Sequence, residues 1–435
     1  MSHYKPYPAY RDSDVEWIGQ VPEHWKIARI KRHATLRTER RSDIPSDATY
    51  VGLEDVESAS GQYKPTSGNS RQTVDSTVGI FYKDDVLYGK LRPYLRKSIV
   101  VGMNGACSTE FLVLKAHQTH PRWLNQWLLT PDVTQQIEAG CDGAKMPRAD
   151  WEHVGSIEMP SPGEAEQVRI LSVLDHETTR IDALIAKKTR FIELLKEKRQ
   201  ALITHAVTKG LDTNVPMRET GVDWIGEVPE HWNVVQVRHV ATLGSGHTPS
   251  RSRPDWWEDC CIPWFTLADI WQVRREGRRF VTETAEKVSE LGIANSSAVV
   301  HPAGSVILSR TASVGFPAIM GCDMATSQDF AVWRCGSRVV NEYLYLVLLG
   351  MKQELSRLMI GSTHKTIYMP DIEAFRMPLP PVEQQKEIIK YVGSETQRID
   401  TVIAKTQRSI DLLKERRAAF ITAAVTGQID LRESA

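Results

Sequence analysis

This chain says the same thing twice. VEWIGQVPEHW, Val15 to Trp25, returns as VDWIGEVPEHW, Val222 to Trp232, with nine of eleven positions identical at an offset of 207. The likeness runs on to Leu36 and Leu243 and fades. It resumes where RIDALIAKKTRFIELLKEKRQALITHAVTKGLD (Arg180 to Asp212) meets RIDTVIAKTQRSIDLLKERRAAFITAAVTGQID (Arg398 to Asp430) at an offset of 218. Between these blocks the copies agree only in patches: DVLYGK (Asp85 to Lys90) answers SVILSR (Ser305 to Arg310), and CSTEFLVL (Cys107 to Leu114) answers TSQDFAVW (Thr326 to Trp333). So long a period does not make a solenoid. It predicts two tandem units, each a variable globular module followed by a shared helix.

The helices are the firmest expectation. From Glu164 to about Thr208 apolar residues recur at Ile170, Leu174, Ile181, Leu184, Phe191, Leu195 and Leu202, in steps of three and four or their sums. The second copy keeps the pattern at Ile388, Val392, Ile399, Val402, Leu413 and Phe420. At about 1.5 Å per residue each helix is a rod of roughly 65 Å, too long to bury its stripe alone, and the matching stripe is its natural antiparallel partner. Polar residues interrupt the seam at Glu177, Lys188 and Lys198 and, in the second copy, at Glu395, Thr406 and Arg416. Such residues pin register, await another subunit's helices, or snorkel to solvent. Pro-rich entries, MPSPGEAEQ and MPLPPVEQQ, precede both rods.

The modules read as mixed α/β. SIVVGM, AVVHPAGSVIL and FAVWRC are strand-like runs bounded by Gly and Pro, while PRWLNQWLLTPDVTQQIEAG and NEYLYLVLLGMKQELSRLMIG read as helices ending at a Gly. The expected fold class is α/β (α+β), with two mixed modules separated by two long helices in an antiparallel coiled coil. The expected boundaries are 1–163, first module; 164–210, first helix; 211–380, second module; 381–428, second helix; 429–435, tail.

Charge narrows the function. Fifty-four basic residues balance fifty-four acidic ones, so any polyanion must be met by local patches. Six cysteines show no CxxC pairing, which leaves reduced thiols and no metal site as the expectation. The N-terminal residues lack a basic region followed by an apolar run, and no stretch approaches about 18 consecutive apolar residues, which predicts an unexported, cytoplasmic chain. Catalytic signatures are absent: there is no GxxxxGK[ST], no GxGxxG after a strand and no HExxH. PDWWED and PDIEAF lack the lysine a metal-dependent nuclease cluster needs, and LPPVEQQ does not supply an amino-methyltransferase motif.

Basic residues mixed with aromatics remain. Lys26 to Arg41 holds seven Lys or Arg against one Glu, and Trp271 to Phe280 holds four Arg, among them Arg274 and Arg275, against one Glu. YGKLRPYLRK adds Lys90, Arg92, Tyr94 and Arg96; SRTASVG adds Arg310, Thr311 and Ser313 in a turn after a strand. Gln328 and Ser108 lie in the matching TSQDF and CSTEF stretches, and Gln suits adenine as Arg suits guanine. Lys145, Arg148, His247, Thr248, His364 and Lys365 complete the expected DNA-contacting set. Taken singly each run is as readily a solvated face, and each loop residue an ordinary hydrogen-bonding one.

The two-unit plan, the EWIGxVPxHW openings, GSGHTPSRSRPDWWEDCCIPWFTLADI (Gly244 to Ile270), the MPLPPVEQQ entry and the RIDxxIAK…LLKExRxAxIT helices together resemble the specificity subunit of a type I restriction-modification system. The resemblance covers essentially the whole chain. It implies two target-recognition domains, each reading one half of a split asymmetric DNA sequence, and paired helices that set the gap and dock two methyltransferase subunits. It further implies that S-adenosylmethionine, ATP and Mg belong to the modification and restriction subunits, not to this chain. Tandem units with antiparallel rods carry a pseudo-twofold axis of the kind duplex DNA backbones have, which makes the plan intelligible. Two other classes stay open: a free-standing DNA-binding regulator, and a catalytic subunit with an unrecognised motif. In the repeated openings Trp17, Trp25, Trp224 and Trp232 are expected to anchor, Gly19, Pro22, Gly226 and Pro229 to shape turns, and His24 and His231 to cap or pack.

Overall fold

β-Branched and aromatic runs form two larger sheets and two strand pairs in each module, and long Ile-rich segments form the helices. The computed structural model describes residues 4–43, 48–65, 77–141, 146–359 and 365–432. By compactness the chain divides into unit 1, Met1–Thr189 with Arg408–Ala435, and unit 2, Arg190–Gln407.

In unit 1 a four-stranded antiparallel sheet runs Ala34–Arg37, Phe111–Ala116, Val86–Gly89, Ser98–Val100. A second sheet runs Arg40–Arg41, Val78–Phe81, Gly105–Cys107, Tyr50–Val51, with its last pair parallel. Unit 2 repeats the design. Ala241–Ser245, Phe330–Cys335, Val306–Ser309, Pro317–Met320 and Phe280–Val281 form five strands, and Glu286–Val288, Ile262–Phe265 and Ala325–Thr326 form three. The equivalent parallel pair, Phe265 beside Thr326, answers Val51 beside Cys107. Leu114 faces Val86 in unit 1 as Trp333 faces Val306 in unit 2, the register that the patches DVLYGK/SVILSR and CSTEF/TSQDF imply.

Three local expectations are corrected. PRWLNQWLLTPDVTQQIEAG is two helices, Pro121–Leu128 and Pro131–Ala139, because Pro131 cannot donate to the preceding turn. NEYLYLVLLGMKQELSRLMIG likewise breaks, at Met351, into Asn341–Gly350 and Lys352–Leu358, and the Gly361 cap lies outside the described residues. Of AVVHPAGSVIL only Val306 onward is strand; Pro302 interrupts the run and Val299 is half exposed.

The long helices span Glu164–Lys209 and Val382–Val425. In unit 2 the end of the first helix meets the start of the second, with Ile203, Val207, Ile388 and Val392 buried in one core and the Tyr343 hydroxyl donating to the carbonyls of both Val207 and Pro378. In unit 1 Ile170, Leu174, Phe420 and Ala424 share the core. The pairing within each unit is antiparallel. The seam differs from the expected one: Leu184, Phe191 and Val402 are exposed at 41, 45 and 40 %, and Ile192 and Ile410 are buried instead. Of the polar seam positions, Thr406 is buried and donates to the Val402 carbonyl at 2.8 Å, Glu177, Lys188 and Glu395 are half-buried, and Lys198 and Arg416 face solvent, outside the seam.

The repeated opening docks each module on the first turn of its helix. Glu166 accepts hydrogen bonds from the Tyr7 hydroxyl at 2.9 Å and Trp25 Nε1 at 3.2 Å and pairs with His24 Nε2 at 2.8 Å. In unit 2 the equivalent Gln384 accepts from Trp232 Nε1 at 2.8 Å and meets His231 Nε2 at 3.3 Å. The next residue, Gln167 or Gln385, is buried and donates to the Pro162 or Pro380 carbonyl. Gly19 and Gly226 adopt left-handed φ values of 69° and 65°, where a side chain would be strained. Trp17 lies against Trp127, ring centres 5.7 Å apart. The helix-end Gly427 abuts Pro22 and Trp25 in unit 1, as Gly210 abuts Trp232 and Pro229 in unit 2. Each opening is thus clasped between one helix's start and the other helix's end.

Candidate nucleic-acid interface

Both units build the same backbone strap from unlike residues. In unit 1 the strand Val86–Gly89 runs into Lys90, whose amide donates to the Glu110 carbonyl at 2.9 Å and whose carbonyl accepts from Ala149 at 2.9 Å. Leu91 bridges Arg148, and the Arg92 amide donates to Pro147. In unit 2 the Arg310 amide donates to Asp329 at 2.8 Å, and the Arg310 carbonyl accepts from Ile367 at 2.9 Å. Thr311 bridges Thr366, and Ala312 donates to Lys365. At one and the same strap position Arg92 and Ala312 adopt left-handed φ values of 54° and 59°. A non-glycine residue there costs roughly 1–2 kcal/mol, so the surrounding hydrogen bonds must hold it. Strain retained while side chains diverge marks the strap as the constant frame of a variable site.

On this frame unit 1 gathers Lys90, Arg92, Ser108 and Arg148. The Arg148 guanidinium pairs with Glu110 at 2.8 Å, and the Glu110 amide donates to Ser108 Oγ at 3.2 Å. Lys90 also lines a cavity of about 300 Å³ with Arg37, Glu39, Arg40 and Thr109. Unit 2 gathers Thr248, Arg310, Thr311, Gln328 and Lys365. Arg310 Nε donates to the Gln328 carbonyl at 3.0 Å, and Thr248 Oγ1 donates to the Gln328 side-chain oxygen at 2.7 Å. His247 is held through its amide on the Thr326 carbonyl, and Ser313 through its amide on that of Thr311. Tyr94 is 49 % exposed in the short turn Pro93–Leu95. Arg96 points elsewhere: its Nη1 approaches the Leu129 carbonyl and it lines a separate cleft of about 630 Å³ beside the helices. Arg274 and Arg275 stand exposed at the end of a separate short helix, Trp271–Arg274. Lys145 and His364 lie outside the described residues.

Sequence reasoning missed the acids of the strap. Glu110 and Asp329 occupy one position, each presenting a carbonyl to the basic residue; the Glu110 carboxylate pairs Arg148, while that of Asp329 accepts from the Ser327 hydroxyl at 2.9 Å. The shared Ser-x-acid spelling, STE and SQD, was the available signal. Part of the basic run from Lys26 is spent internally: Arg37 pairs with the buried Asp85 at 2.6 Å, and Arg41 with Glu39. Of the PDWWED acids Asp255 is likewise engaged, paired with Arg253, which lies over Trp256. Arg251 stacks on Trp257, 3.8 Å from the ring centre, a cation–aromatic stack the sequence did not single out. Among the described residues no three His, Cys, Asp or Glu side chains gather as a metal cluster.

The fold and the strap define a tandemly duplicated mixed α/β protein with two long antiparallel helices, each module presenting a strained basic turn. Residues 229–408 match the type I restriction modification DNA specificity domain. The type I restriction enzyme MjaIX specificity subunit of Methanocaldococcus jannaschii is 29 % identical over 170 residues, 38 % of each chain. The MjaVIII specificity subunit of the same organism is 23 % identical over 68 % of each. The chain thus spans well under half of the first relative's length and about two thirds of the second's. Among solved structures, a chain from work on complex assembly and conformational transition of the type I R-M system superposes with a TM-score of 0.73 at 20 % identity, covering 94 % of this chain and 99 % of that one. The HsdS subunit from Thermoanaerobacter tengcongensis gives 0.52 at 20 % identity, covering 94 % and 98 %. The chain is thus similar in sequence to type I restriction-modification specificity subunits and shares the fold of those solved structures. No helix among the described residues is long and apolar enough to cross a membrane.

Proposed function

We propose that the chain is the non-catalytic DNA sequence-recognition subunit of a type I restriction-modification complex, working in the cytoplasm. Each module reads one half of a bipartite, asymmetric target, and the paired helices set the unread gap and dock two methyltransferase subunits, with restriction subunits joining them. S-adenosylmethionine, ATP and Mg are held by those partners. What carries the reading is the strap: Lys90 and Arg310 occupy equivalent positions beside left-handed Arg92 and Ala312, on the same backbone bonds, in modules whose other surface residues differ. A constant frame with variable side chains is what two readers of unlike half-sites require, since phosphate contacts position and base contacts specify. Arg92, Arg148, Ser108, Thr248, Thr311 and Gln328 are the side chains proposed to read; Tyr94, Ser313, His247, Lys365, Arg274 and Arg275 are proposed to support or track the backbone, Lys145 and His364 are kept as proposed contacts from the sequence, and Arg96, turned to the cleft beside the helices, is left out. The exposed Lys198 and Arg416, with half-buried Glu177, Lys188 and Glu395, are the helix positions proposed to face partner subunits; Thr406, buried on its own helix, is not among them.

Co-expression with the cognate methyltransferase chain followed by methylome sequencing tests this. A methylated motif of two short blocks separated by a fixed gap is expected. Lys90→Ala should weaken binding across sequences and lower the salt slope by about one, as loss of a phosphate contact does. A chain that binds one undivided site and co-purifies with no methyltransferase would instead establish the free-standing regulator.

A further inference from the structure

The two clasps are equivalent in frame but not in filling. In unit 1 the Tyr7 ring is buried at 3 % exposure, with ring centres 5.7 Å from both His24 and Trp25, and its hydroxyl donates to Glu166. Arg432 covers its other side, 4.9 Å from the ring centre, and the Asp430 amide donates to the Lys5 carbonyl. Two separate segments, residues 4–9 and 428–432, thus converge on this clasp. In unit 2 both are replaced by a single connection: residues 210–216 lead from the first helix straight into the strand Met217–Glu219. One connection cannot lie in two places. Counted back from the strand registers, Tyr10 opposite Pro22 and Met217 opposite Pro229, exposed Asn214 is the sequence equivalent of Tyr7, and its neighbour Val215 lines the space. A cleft of about 140 Å³ is open there, lined by His231, Trp232, Gln384, Pro229, Val215 and Ile388, the first three being the equivalents of Tyr7's neighbours His24, Trp25 and Glu166. A cavity of about 150 Å³ is known to hold a benzene ring, so the space suits one aromatic side chain.

We infer that this cleft of unit 2 receives the tyrosyl side chain of an extended, proline-flanked segment of a partner polypeptide. The ring packs against Trp232 and His231, and the hydroxyl donates to the Gln384 side-chain oxygen, which accepts from Trp232 Nε1 at 2.8 Å and keeps a second lone pair when the Gln384 amide donates to His231 Nε2 at 3.3 Å. The occupant is specified by the chain's own Tyr4–Tyr10 segment, YKPYPAY, which fills the sister site with Pro on both sides of Tyr7.

The probe is the free peptide YKPYPAY added to the full-length chain and followed by tryptophan fluorescence and calorimetry. Saturable binding of one peptide per chain is expected. The peptide with its central tyrosine replaced by phenylalanine should bind about fivefold more weakly, the loss of one neutral hydrogen bond. Asn214→Tyr, which supplies the ring in cis, should abolish binding while leaving the circular dichroism spectrum unchanged. Should that variant misfold, a peptide carrying benzophenone at the central position should photolabel Val215 or Ile388 in the wild-type chain. Undiminished binding to a folded Asn214→Tyr chain, labelling confined to unit 1, or no saturation at millimolar peptide overturns the inference.

Discussion

Glu166 and Gln384 occupy one position of the repeat, and the difference between them tracks what each must satisfy. Glu166 serves the Tyr7 hydroxyl, Trp25 Nε1 and His24 at once, so a carboxylate with its extra acceptor capacity fits; Gln384 serves Trp232 and His231 alone. Glu166→Ala leaves the hydroxyl of buried Tyr7 and the indole N–H of buried Trp25 without that acceptor. It should cost about 2–3 kcal/mol, against about 1 kcal/mol for Gln384→Ala, read from denaturant unfolding of the two variants. A second residue-scale consequence concerns pH. His33 in unit 1 and His301 in unit 2 are held below the ordinary histidine range, chiefly by burial, and His301 Nε2 is buried without a hydrogen-bond partner. The unfolded chain therefore takes up these protons first, at its ordinary value of about 6.5. Stability should be full above that pH and fall as acid is added below it, down to the depressed folded values. His301→Gln should flatten the slope between pH 7.5 and 5.5 in thermal melts, while a slope unchanged by the variant would put the titration elsewhere.

The long helices show why a correct element was read with an imperfect face. The expected seam stepped from Ile181 to Leu184 and Phe191, as a heptad does, and the structure exposes both leucine and phenylalanine. The buried row is instead isoleucine every eleven residues: Ile170, Ile181, Ile192 and Ile203 in the first helix, Ile388, Ile399 and Ile410 in the second, with Ile421 half-buried. At 3.6 residues per turn eleven residues overshoot three turns by about 20° and seven fall short of two turns by about 20°, so an eleven-residue row drifts less per residue than a heptad row, and in the opposite sense. The spelling was legible; the period was misassigned because leucines at heptad spacing lie alongside. Ion pairs fix the register in each unit with equivalent residues, Arg199 on Asp400 at 3.1 Å in unit 2 and Arg417 on Asp182 at 3.0 Å in unit 1. Ile399→Ala should cost about 2–4 kcal/mol in chemical unfolding, and Leu184→Ala under about 0.5 kcal/mol. Comparable losses would restore the heptad. The strap was less legible than the helices. Its strands could be paired from DVLYGK and CSTEF, but Arg148 and Thr366 reach it across long stretches of chain, a pairing that no local periodicity encodes.

At the scale of the whole molecule, the eleven-residue repeat turns the proposed ruler into a quantitative statement. If the helices set the gap between half-sites, lengthening both by one repeat, after Thr189 and after Gln407, the positions at which the chain divides into its compact units, keeps the eleven-residue row in step and retains both interhelical ion pairs. Eleven residues add about 16 Å at 1.5 Å per residue, and duplex DNA rises about 3.4 Å per base pair, so the gap in the methylated motif should grow by about five base pairs with both half-sites unchanged. Lengthening by seven residues adds only about 10 Å and rotates the following segment by about 20° in the sense opposite to an eleven-residue insertion, out of step with the eleven-residue row. That variant should shift the gap by about three base pairs while lowering the melting temperature. Methylome sequencing of cells carrying each variant separates the outcomes. A half-site that changes sequence, or a gap that stays fixed while the helices lengthen, would mean that spacing is set by contacts of the modules or of the partner subunits rather than by the helices.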